Sequence, residues 1–324
     1  MLNKPSISVV VPVYNSEPIL PKLVSRLQSM LDSLADRYEL VLVNDGSHDH
    51  SWDVIARLAD EHNWIHGIDL MRNYGQHNAL LLGIRAVQYD VIVTMDDDLQ
   101  HPPEEIPRLL GKLDEGFDVV YGTPQQEQHG LWRDLASKLI KLALHRTIGA
   151  GVAQKMSAFR AFRAKVRDGF TDYRGAFPSI DVLLTWGTTR FSAVLVRHDT
   201  RLVGKSNYTF RKLIVHAFNM ITGFSTLPLR LTSLIGFIFT IFGVGVLVFV
   251  VGRYLIQGRS VPGFPFLASI ISIFSGAMLF ALGIIGEYLA RMYERILERP
   301  MYIIKSTTDK NTDSRENNPK ATNR

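Results

Sequence analysis

Residues 90–105 read Asp90-Val-Ile-Val-Thr-Met-Asp96-Asp97-Asp98-Leu-Gln100-His-Pro-Pro-Glu-Glu105. Apolar, β-branched residues end abruptly at three carboxylates, which predicts a buried strand with acids at its carboxyl end. Two prolines then suit the opening of a helix. Because like charges at this distance repel, the cluster needs a neutralising partner, and hard carboxylate oxygens suit Mg²⁺ or Mn²⁺. The alternative is a solvated acidic loop.

Strand-like runs and helical patterns alternate through residues 1–125. The strand-like runs are Ile7–Val13, Glu39–Asn44, Ile65–Leu70, Val91–Met95 and Asp118–Tyr121. The helical patterns between them lie near residues 17–35, 51–62, 76–88 and 104–115. Because the strand-like runs are almost continuously apolar, they predict an α/β fold with a mostly parallel sheet and helices on both faces.

Polar clusters follow the first four of these runs. They are Tyr14-Asn15, Asn44-Asp45-Gly46-Ser47, Arg72-Asn73-Tyr74-Gly75 and Asp96-Asp97-Asp98. Each cluster alone would suit an ordinary turn, but ligands of open α/β sheets bind at the carboxyl edge, so the four together predict a binding cleft. A nicotinamide-dependent dehydrogenase is excluded, because residues 12–17 lack Gly-x-Gly-x-x-Gly.

Composition excludes further classes of function. The 324 residues include no cysteine, so disulfides and thiolate chemistry are absent. The net charge of +5 comes mostly from the later part of the chain, which favours a phosphate-bearing partner or an anionic membrane surface. No zinc-finger, homeodomain or RNP-type pattern occurs, so we expect no nucleic-acid partner.

Two long uncharged runs predict membrane helices. Leu231–Gly252 has 22 residues without a charge, and as a helix it would extend about 33 Å, enough to cross a bilayer. Ser260–Gly286 is the second run, and its prolines place the start of the helix near Phe266. The alternative, a buried hairpin of a soluble protein, would need fewer apolar residues.

Arginines and lysines flank the two runs and predict their orientation. The positive-inside bias places the α/β domain and both chain ends in the cytoplasm. We predict five regions: a catalytic α/β domain at 1–205, an amphipathic interfacial helix at 206–229, a two-helix membrane region at 230–290, a juxtamembrane segment at 291–305 and a disordered tail at 306–324. Packing of the 206–229 helix against the soluble domain is the alternative.

Several motifs together resemble one family. They are Val11–Asn15, Asn44–Ser47, Arg72–His77, Asp96–Pro103, Arg201–Gly204, Leu227–Arg230 and Gly286–Tyr288. The pattern resembles family 2 glycosyltransferases of the GT-A fold, in the membrane-anchored polyprenyl-phosphate branch. That branch includes bactoprenol glucosyltransferases, undecaprenyl-phosphate aminoarabinose-type transferases and dolichol-phosphate mannose synthases. The resemblance covers about residues 5–305.

The resemblance implies a metal-dependent, inverting transfer of one monosaccharide. The donor would be a nucleotide-sugar, with UDP as first choice, and the acceptor polyprenyl (undecaprenyl) phosphate at the cytoplasmic face of the inner membrane. The product would serve a cell-envelope glycan or a lipid modification. Some relatives are tetramers, so a homo-oligomer stays open.

The resemblance also implies roles for single residues. Asp96 and Asp98 would bind Mg²⁺ or Mn²⁺ and act in catalysis with Arg201. The nucleotide-sugar would be bound by Pro12, Tyr14, Asn15, Asp45, Asp97 and Gln100. The lipid phosphate would be bound by Arg201, Lys205 and Ser206.

The chain departs from the family pattern at three places. Ser16 stands where relatives often have glutamate, and Lys205 precedes Ser206 where the usual order is serine then lysine. Ser157-Ala158-Phe159-Arg160 replaces Gly-Asp-Phe-Arg, which removes an acid near the acceptor. Asp181 is a candidate catalytic replacement, and a structural cap or ion pair is the alternative.

Two other functions compete with this one. A processive polysaccharide synthase would share the fold, but such enzymes usually carry an Arg-Trp dipeptide and more spans, and this chain has no Arg-Trp. A catalytically inert membrane scaffold that binds nucleotide-sugar is the other, and the intact pair Asp96 and Asp98 argues against it.

Overall fold

A computed structural model of the chain describes residues 4–124, 156–175, 178–199, 227–257, 263–297 and 299–308. The strands are β1 Ser6–Val13, β2 Arg37–Asn44, β3 Ile65–Leu70, β4 Val91–Thr94, β5 Val119–Pro124, β6 Arg160–Arg163, β7 Phe191–Val196 and β8 Ile304–Thr307. The α-helices are α1 Leu20–Leu34, α2 Ser51–Glu61, α3 Gln76–Ala86, α4 Ile106–Asp114, α5 Ile180–Gly187, α6 Leu227–Gln257 and α7 Phe264–Ile296. Two 3₁₀ segments cover Pro103–Glu105 and Ala164–Phe170.

The eight strands in the described residues form one mixed sheet in the order β7-β5-β6-β4-β1-β2-β3-β8. The centre is parallel, since β1 pairs with β2 and β4, and β2 pairs with β3. β6 runs antiparallel between β4 and β5, and β8 runs antiparallel to β3 at the edge. The α/β prediction is therefore confirmed, with β6, β7 and β8 added to the strands that the sequence predicts.

The sheet is covered on both faces because its central strands are apolar on both sides. Val9 and Val11 of β1 pack with α1, α2 and α4, whereas Val10 packs with α3 and α5 on the other face. Successive side chains of a strand point to opposite faces, so a continuous apolar run needs two layers of helices. Because β1 to β4 run parallel to one another, their carboxyl ends meet at one edge of the sheet.

The helices α6 and α7 stand apart from this core. Two stretches, Pro228–Arg253 and Ile273–Tyr293, are long and apolar enough to cross a membrane, with mean hydropathies of 2.9 and 1.7. The most apolar window of each contains no buried residue, as expected for side chains that face lipid and unlike a buried soluble hairpin. Rings of α6 pack on Phe274 of α7.

The C-terminal boundary differs from the prediction. Ile304–Thr307 forms β8, so Ser306 and Thr307 belong to the sheet and not to a disordered tail. Composition misses this strand because it has four residues and little apolar content, and its pairing with β3 depends on residues far away in sequence. Residues 309–324 and most of the predicted interfacial helix lie outside the described residues.

Candidate active site

The loops after β1 and β2 are joined by reciprocal hydrogen bonds. The backbone N–H of Asn15 donates to Ser47 Oγ at 3.0 Å, and the N–H of His48 donates to Asn15 Oδ1 at 2.8 Å. Asn15 has a φ of 53°, a left-handed conformation that asparagine tolerates better than most residues. The side-chain oxygen of Asn15 therefore fixes the loop geometry beside the exposed ring of Tyr14.

Asp45 joins the loop after β2 to the loop after β3. Its buried carboxylate accepts hydrogen bonds from the N–H groups of Tyr74 at 2.7 Å and Gly75 at 2.9 Å. Burial raises the pKa of Asp45 to about 6, against the opposing effect of these two donors. At Gly46, with φ 64°, a Cβ atom would lie 2.4 Å from the Arg72 carbonyl carbon, so only glycine allows the two loops to approach this closely.

The middle acid of the triplet ties β4 to β1. Asp97 Oδ2 accepts a hydrogen bond from Ser16 Oγ at 2.5 Å and one from the Tyr14 N–H at 3.3 Å. Ser16, a departure from the family pattern, is thus a hydrogen-bond donor to this carboxylate. A glutamate at the same position would bring a like charge towards Asp97.

The outer two acids accept hydrogen bonds from two glutamines. Asp96 Oδ1 accepts from Gln76 Nε2 at 2.5 Å, and Asp98 Oδ1 accepts from the N–H of Gln100 at 3.1 Å. Leu99, between Asp98 and Gln100, has a φ of 57°, which turns the chain sharply after the triplet. Asp98 is 9% exposed. The arrangement places two carboxylates at the edge that the other three loops line.

Comparison with known proteins agrees with this geometry. Residues 8–170 match the model of the family described as glycosyl transferase family 2. The chain is also 37% identical over 302 residues, 92% of each chain, to the undecaprenyl-phosphate 4-deoxy-4-formamido-L-arabinose transferase of Salmonella choleraesuis (strain SC-B67).

The chain belongs to glycosyltransferase family 2. The transferase of the same name from Salmonella paratyphi B (strain ATCC BAA-1250 / SPB7) has the same identity and coverage. Among solved structures, glucosyl-3-phosphoglycerate synthase from Mycobacterium tuberculosis, in complex with Mn²⁺, UDP and glucosyl-3-phosphoglycerate, has a TM-score of 0.51. It is 22% identical and covers 67% of this chain and 78% of its own, which supports the fold.

The carboxylates of this glycosyltransferase suit a divalent cation held jointly with substrate. In the described part of the chain, no group of three or more His, Cys, Asp or Glu side chains is arranged to hold a metal. Mg²⁺ is commonly bound by one or two carboxylates, with substrate phosphates and water completing its shell. Asp96 and Asp98 supply that number of hard oxygen ligands, so the residues fit such an ion.

The structure distributes the other predicted site residues unevenly. Tyr14 is 40% exposed at the edge, with its ring edge-on to His48 at 6.3 Å between centroids. Pro12 lies buried inside β1 opposite Val43, so it shapes the strand beneath the loop. The carbonyl of Gln100 accepts from the N–H of Asp199, which links the triplet to the segment after β7. Arg201, Lys205 and Ser206 lie outside the described residues.

Asp181 is paired beneath the acid triplet. It lies in the first turn of α5 and forms an ion pair with Arg160 of β6, whose side chain is 1% exposed. Arg160 Nε also donates to Thr94 Oγ1 at 3.0 Å, and Thr94 is the last residue of β4. The described contacts of Asp181 thus include a structural ion pair, the alternative predicted from the sequence.

A histidine pair next to the triplet is a feature that sequence reasoning undervalues. The sequence marks His101 as an ordinary loop residue. In the structure its ring stacks on Phe159, with centroids 5.3 Å apart, and meets the edge of His198 at 4.9 Å. Burial, together with the neighbouring His198, lowers the pKa of His101 to about 4. His101 is thus neutral near pH 7 and packs as an aromatic ring, a role that no local motif encodes.

Proposed function

We propose that this family 2 glycosyltransferase moves one monosaccharide from a nucleotide-sugar to undecaprenyl phosphate, with inversion, at the cytoplasmic face of the inner membrane. One observation carries the proposal: the acid-lined edge of the sheet belongs to the same chain as two helices that are long and apolar enough to cross a membrane, and the chain after the second helix returns to the sheet as β8. The site is therefore tethered beside the bilayer where a lipid phosphate lies. The similarity to the Salmonella undecaprenyl-phosphate transferases supports the same acceptor.

The donor would lie across the carboxyl ends of β1 to β4. Tyr14 offers an exposed ring for the base, and Asp45 and Asn15 hold the loops that frame it. We take a UDP-sugar as the first donor to test. Asp96 and Asp98 would hold Mg²⁺ or Mn²⁺, which supplies charge neutralisation for the departing diphosphate. Gln76 and Gln100 orient these two carboxylates.

The transfer needs little proton chemistry. A polyprenyl phosphate is already anionic near neutral pH, so one of its oxygens attacks the anomeric carbon directly. The new bond joins that oxygen to the anomeric carbon, and the bond to the donor diphosphate breaks with both electrons staying on the nucleoside diphosphate. A single displacement of this kind inverts the anomeric configuration. Positioning and charge stabilisation then account for most of the catalysis.

The remaining site residues fall into two groups. Arg201, Lys205 and Ser206 stay proposed ligands of the lipid phosphate, on the basis of the resemblance. For Asp181 we favour a positioning role over direct catalysis, because its carboxylate is engaged by the buried guanidinium of Arg160. Through Arg160 and Thr94 it supports the end of β4, from which Asp96 and Asp98 project.

Orientation follows from charge and connectivity. Because the sheet contains strands from before α6 and after α7, the two helices enter and leave the membrane on one side. The arginines and lysines that flank them favour the cytoplasm as that side. A homo-oligomer, a tetramer by resemblance, stays a proposal.

The proposal is tested by a donor screen. Purified full chain in detergent is mixed with undecaprenyl phosphate, Mg²⁺ or Mn²⁺ and a panel of nucleotide-sugars, and lipid products are weighed by mass spectrometry. We expect one donor to add the mass of a single sugar to the lipid. Chains of repeated sugars would favour the polysaccharide synthase. Metal-dependent nucleotide binding without any product would favour the inert scaffold.

A further inference from the structure

Asp69 is a buried acid inside an otherwise apolar strand. It lies near the end of β3, 1% exposed, where acidic residues are normally disfavoured because burying a charge is costly unless it is paired. We propose that Asp69 and Lys305 are positioning residues that set the geometry of the donor-binding loops. Lys305 belongs to β8, the strand that follows the second membrane helix, α7. The inference rests on the proposed function, since it takes those loops to hold the nucleotide.

A chain of hydrogen bonds joins Asp69 to the loop after β1. Asn44 Nδ2 donates to Asp69 Oδ1 at 2.6 Å, and Asn44 Oδ1 accepts from Ser47 Oγ at 2.5 Å. Ser47 Oγ in turn accepts from the Asn15 N–H at 3.0 Å. A carboxylate only accepts hydrogen bonds, so Asp69 requires the NH₂ group of Asn44 to point towards it. The amide oxygen of Asn44 then points towards Ser47. That orientation fixes the position of the Ser47 hydroxyl group and, through it, the position of the Asn15 backbone.

Lys305 supplies the matching charge at the other end. Its Nζ lies 2.9 Å from Asp69 Oδ2, and its side chain is 58% exposed while that of Asp69 is 2% exposed. The register between β3 and β8 shifts at Asp69, where Ser306 pairs with Asp69 and Ile304 with Leu70. Lys305 is therefore an extra residue in a bulge, a device that redirects a side chain.

The segment that carries Lys305 is held firmly against the sheet. The Met71 N–H donates to the Ile303 carbonyl at 3.0 Å, and the Gly67 N–H donates to Thr308 Oγ1 at 2.8 Å. Tyr302 Oη lies 3.3 Å from an Arg85 guanidinium nitrogen. At Gly67 a Cβ atom would lie 2.9 Å from the Thr308 methyl group, so a side chain there would press on this contact. Lys305 thus reaches Asp69 from a fixed backbone.

Hydrogen–deuterium exchange on the full chain in detergent tests the network directly. Lys305→Glu places a like charge beside Asp69, so we expect exchange in peptides covering residues 14–17 and 45–48 to rise about fivefold or more, as local opening becomes easier. Lys305→Met should give a smaller rise, and Lys305→Arg should restore the wild-type rate. Lys112→Met is the matched control, because it breaks another surface lysine–acid pair, with Glu115, at the far end of α4.

UDP with Mn²⁺ serves as the binding probe in a second measurement. We expect Lys305→Glu to raise the UDP dissociation constant about 5–10-fold while the kcat at saturating donor stays within about twofold of wild type. Unchanged exchange at 14–17 and 45–48 would overturn the inference. So would an equal rise in α4, which would mean general destabilisation, or an unchanged dissociation constant. Wild type that binds no UDP would contradict the proposed donor site, while the exchange comparison still decides the network.

Discussion

At the scale of single residues, the three consecutive acids have different partners. Asp97 accepts hydrogen bonds from Ser16 and the Tyr14 backbone, whereas Asp96 accepts one from Gln76 and Asp98 accepts one from the backbone of Gln100. The sequence predicts the outer pair as metal ligands. In the structure the middle acid connects the loop after β1 to the loop after β4. Ser16 could be understood only from this contact, since its partner lies 81 residues away.

Replacing one outer acid tests the metal assignment. We expect Asp98→Asn to reduce turnover at least about 100-fold and to remove the dependence of UDP binding on Mn²⁺, because charge neutralisation at the diphosphate is lost. The melting temperature should stay close to wild type. Asp60→Asn, on the exposed side of α2, is the matched control. Metal-dependent UDP binding in Asp98→Asn at wild-type strength would remove Asp98 from the site.

Asp45 predicts a pH dependence of stability. Its pKa is raised from 3.8 to about 6, mainly by burial, so between these values the folded chain keeps a proton that the unfolded chain has lost. The contribution of the Asp45 carboxyl group to the free energy of unfolding therefore falls as pH rises from about 4 to about 6. Asp45→Asn does not titrate, so the melting temperature of wild type relative to this variant should fall across that window. A constant difference in melting temperature from pH 4 to pH 7 would contradict the assigned shift.

At the scale of elements, the sequence predicts what local patterns encode. The four helical patterns in residues 17–115 match α1 to α4 within a few residues, and the polar clusters do lie at the ends of β1 to β4. The four-residue strands β6 and β8 escaped prediction. β6 has an arginine at each end, three of the four residues of β8 are polar, and both strands pair with segments that are distant in sequence. The same limit hides the contact between Arg160 and Asp181.

The ion pair between Arg160 of β6 and Asp181 of α5 allows a test of the role of Asp181. We expect Asp181→Ala to lower the free energy of unfolding by about 3–5 kcal/mol, because it leaves the buried Arg160 guanidinium without its anion. The double variant Arg160→Met/Asp181→Leu should recover most of that loss, since two apolar side chains bury no charge. Thermal and denaturant unfolding measure both changes.

Turnover of the same double variant separates the two roles of Asp181. If Asp181 acts by positioning, recovered stability should bring back a measurable part of the activity. Full stability with turnover as low as in an Asp98→Asn variant would instead restore Asp181 as a catalytic residue.

At the scale of the whole molecule, the sheet contains strands from both sides of the helix pair α6 and α7 in the sequence. β1 to β7 precede α6, and β8 follows α7, so both ends of the hairpin are fixed to one body. The sequence predicts two spans and a common side for both ends from hydropathy and charge. It could not predict β8, the strand that joins the chain after α7 to the sheet.

Single-cysteine labelling tests this topology, because the chain has no native cysteine. We expect Ser260→Cys, between the two spans, to react with a membrane-impermeant maleimide in intact spheroplasts. Lys22→Cys, on α1, should react only after the membrane is permeabilised. Equal labelling of both positions in intact spheroplasts would contradict the two-span arrangement, and reversed labelling would place the sheet on the other side.

A competition between two acceptors tests whether the enzyme transfers sugar to a lipid phosphate. Wild-type protein is given its best nucleotide-sugar with Mn²⁺ and an equal mixture of undecaprenyl phosphate and undecaprenol, and the lipids are weighed by mass spectrometry. We expect the phosphate lipid alone to gain the mass of one sugar, and Asp98→Asn to give at most about 1% of that product. Glycosylated undecaprenol, or sugar transferred only to water or to a growing polymer, would contradict transfer to a lipid phosphate.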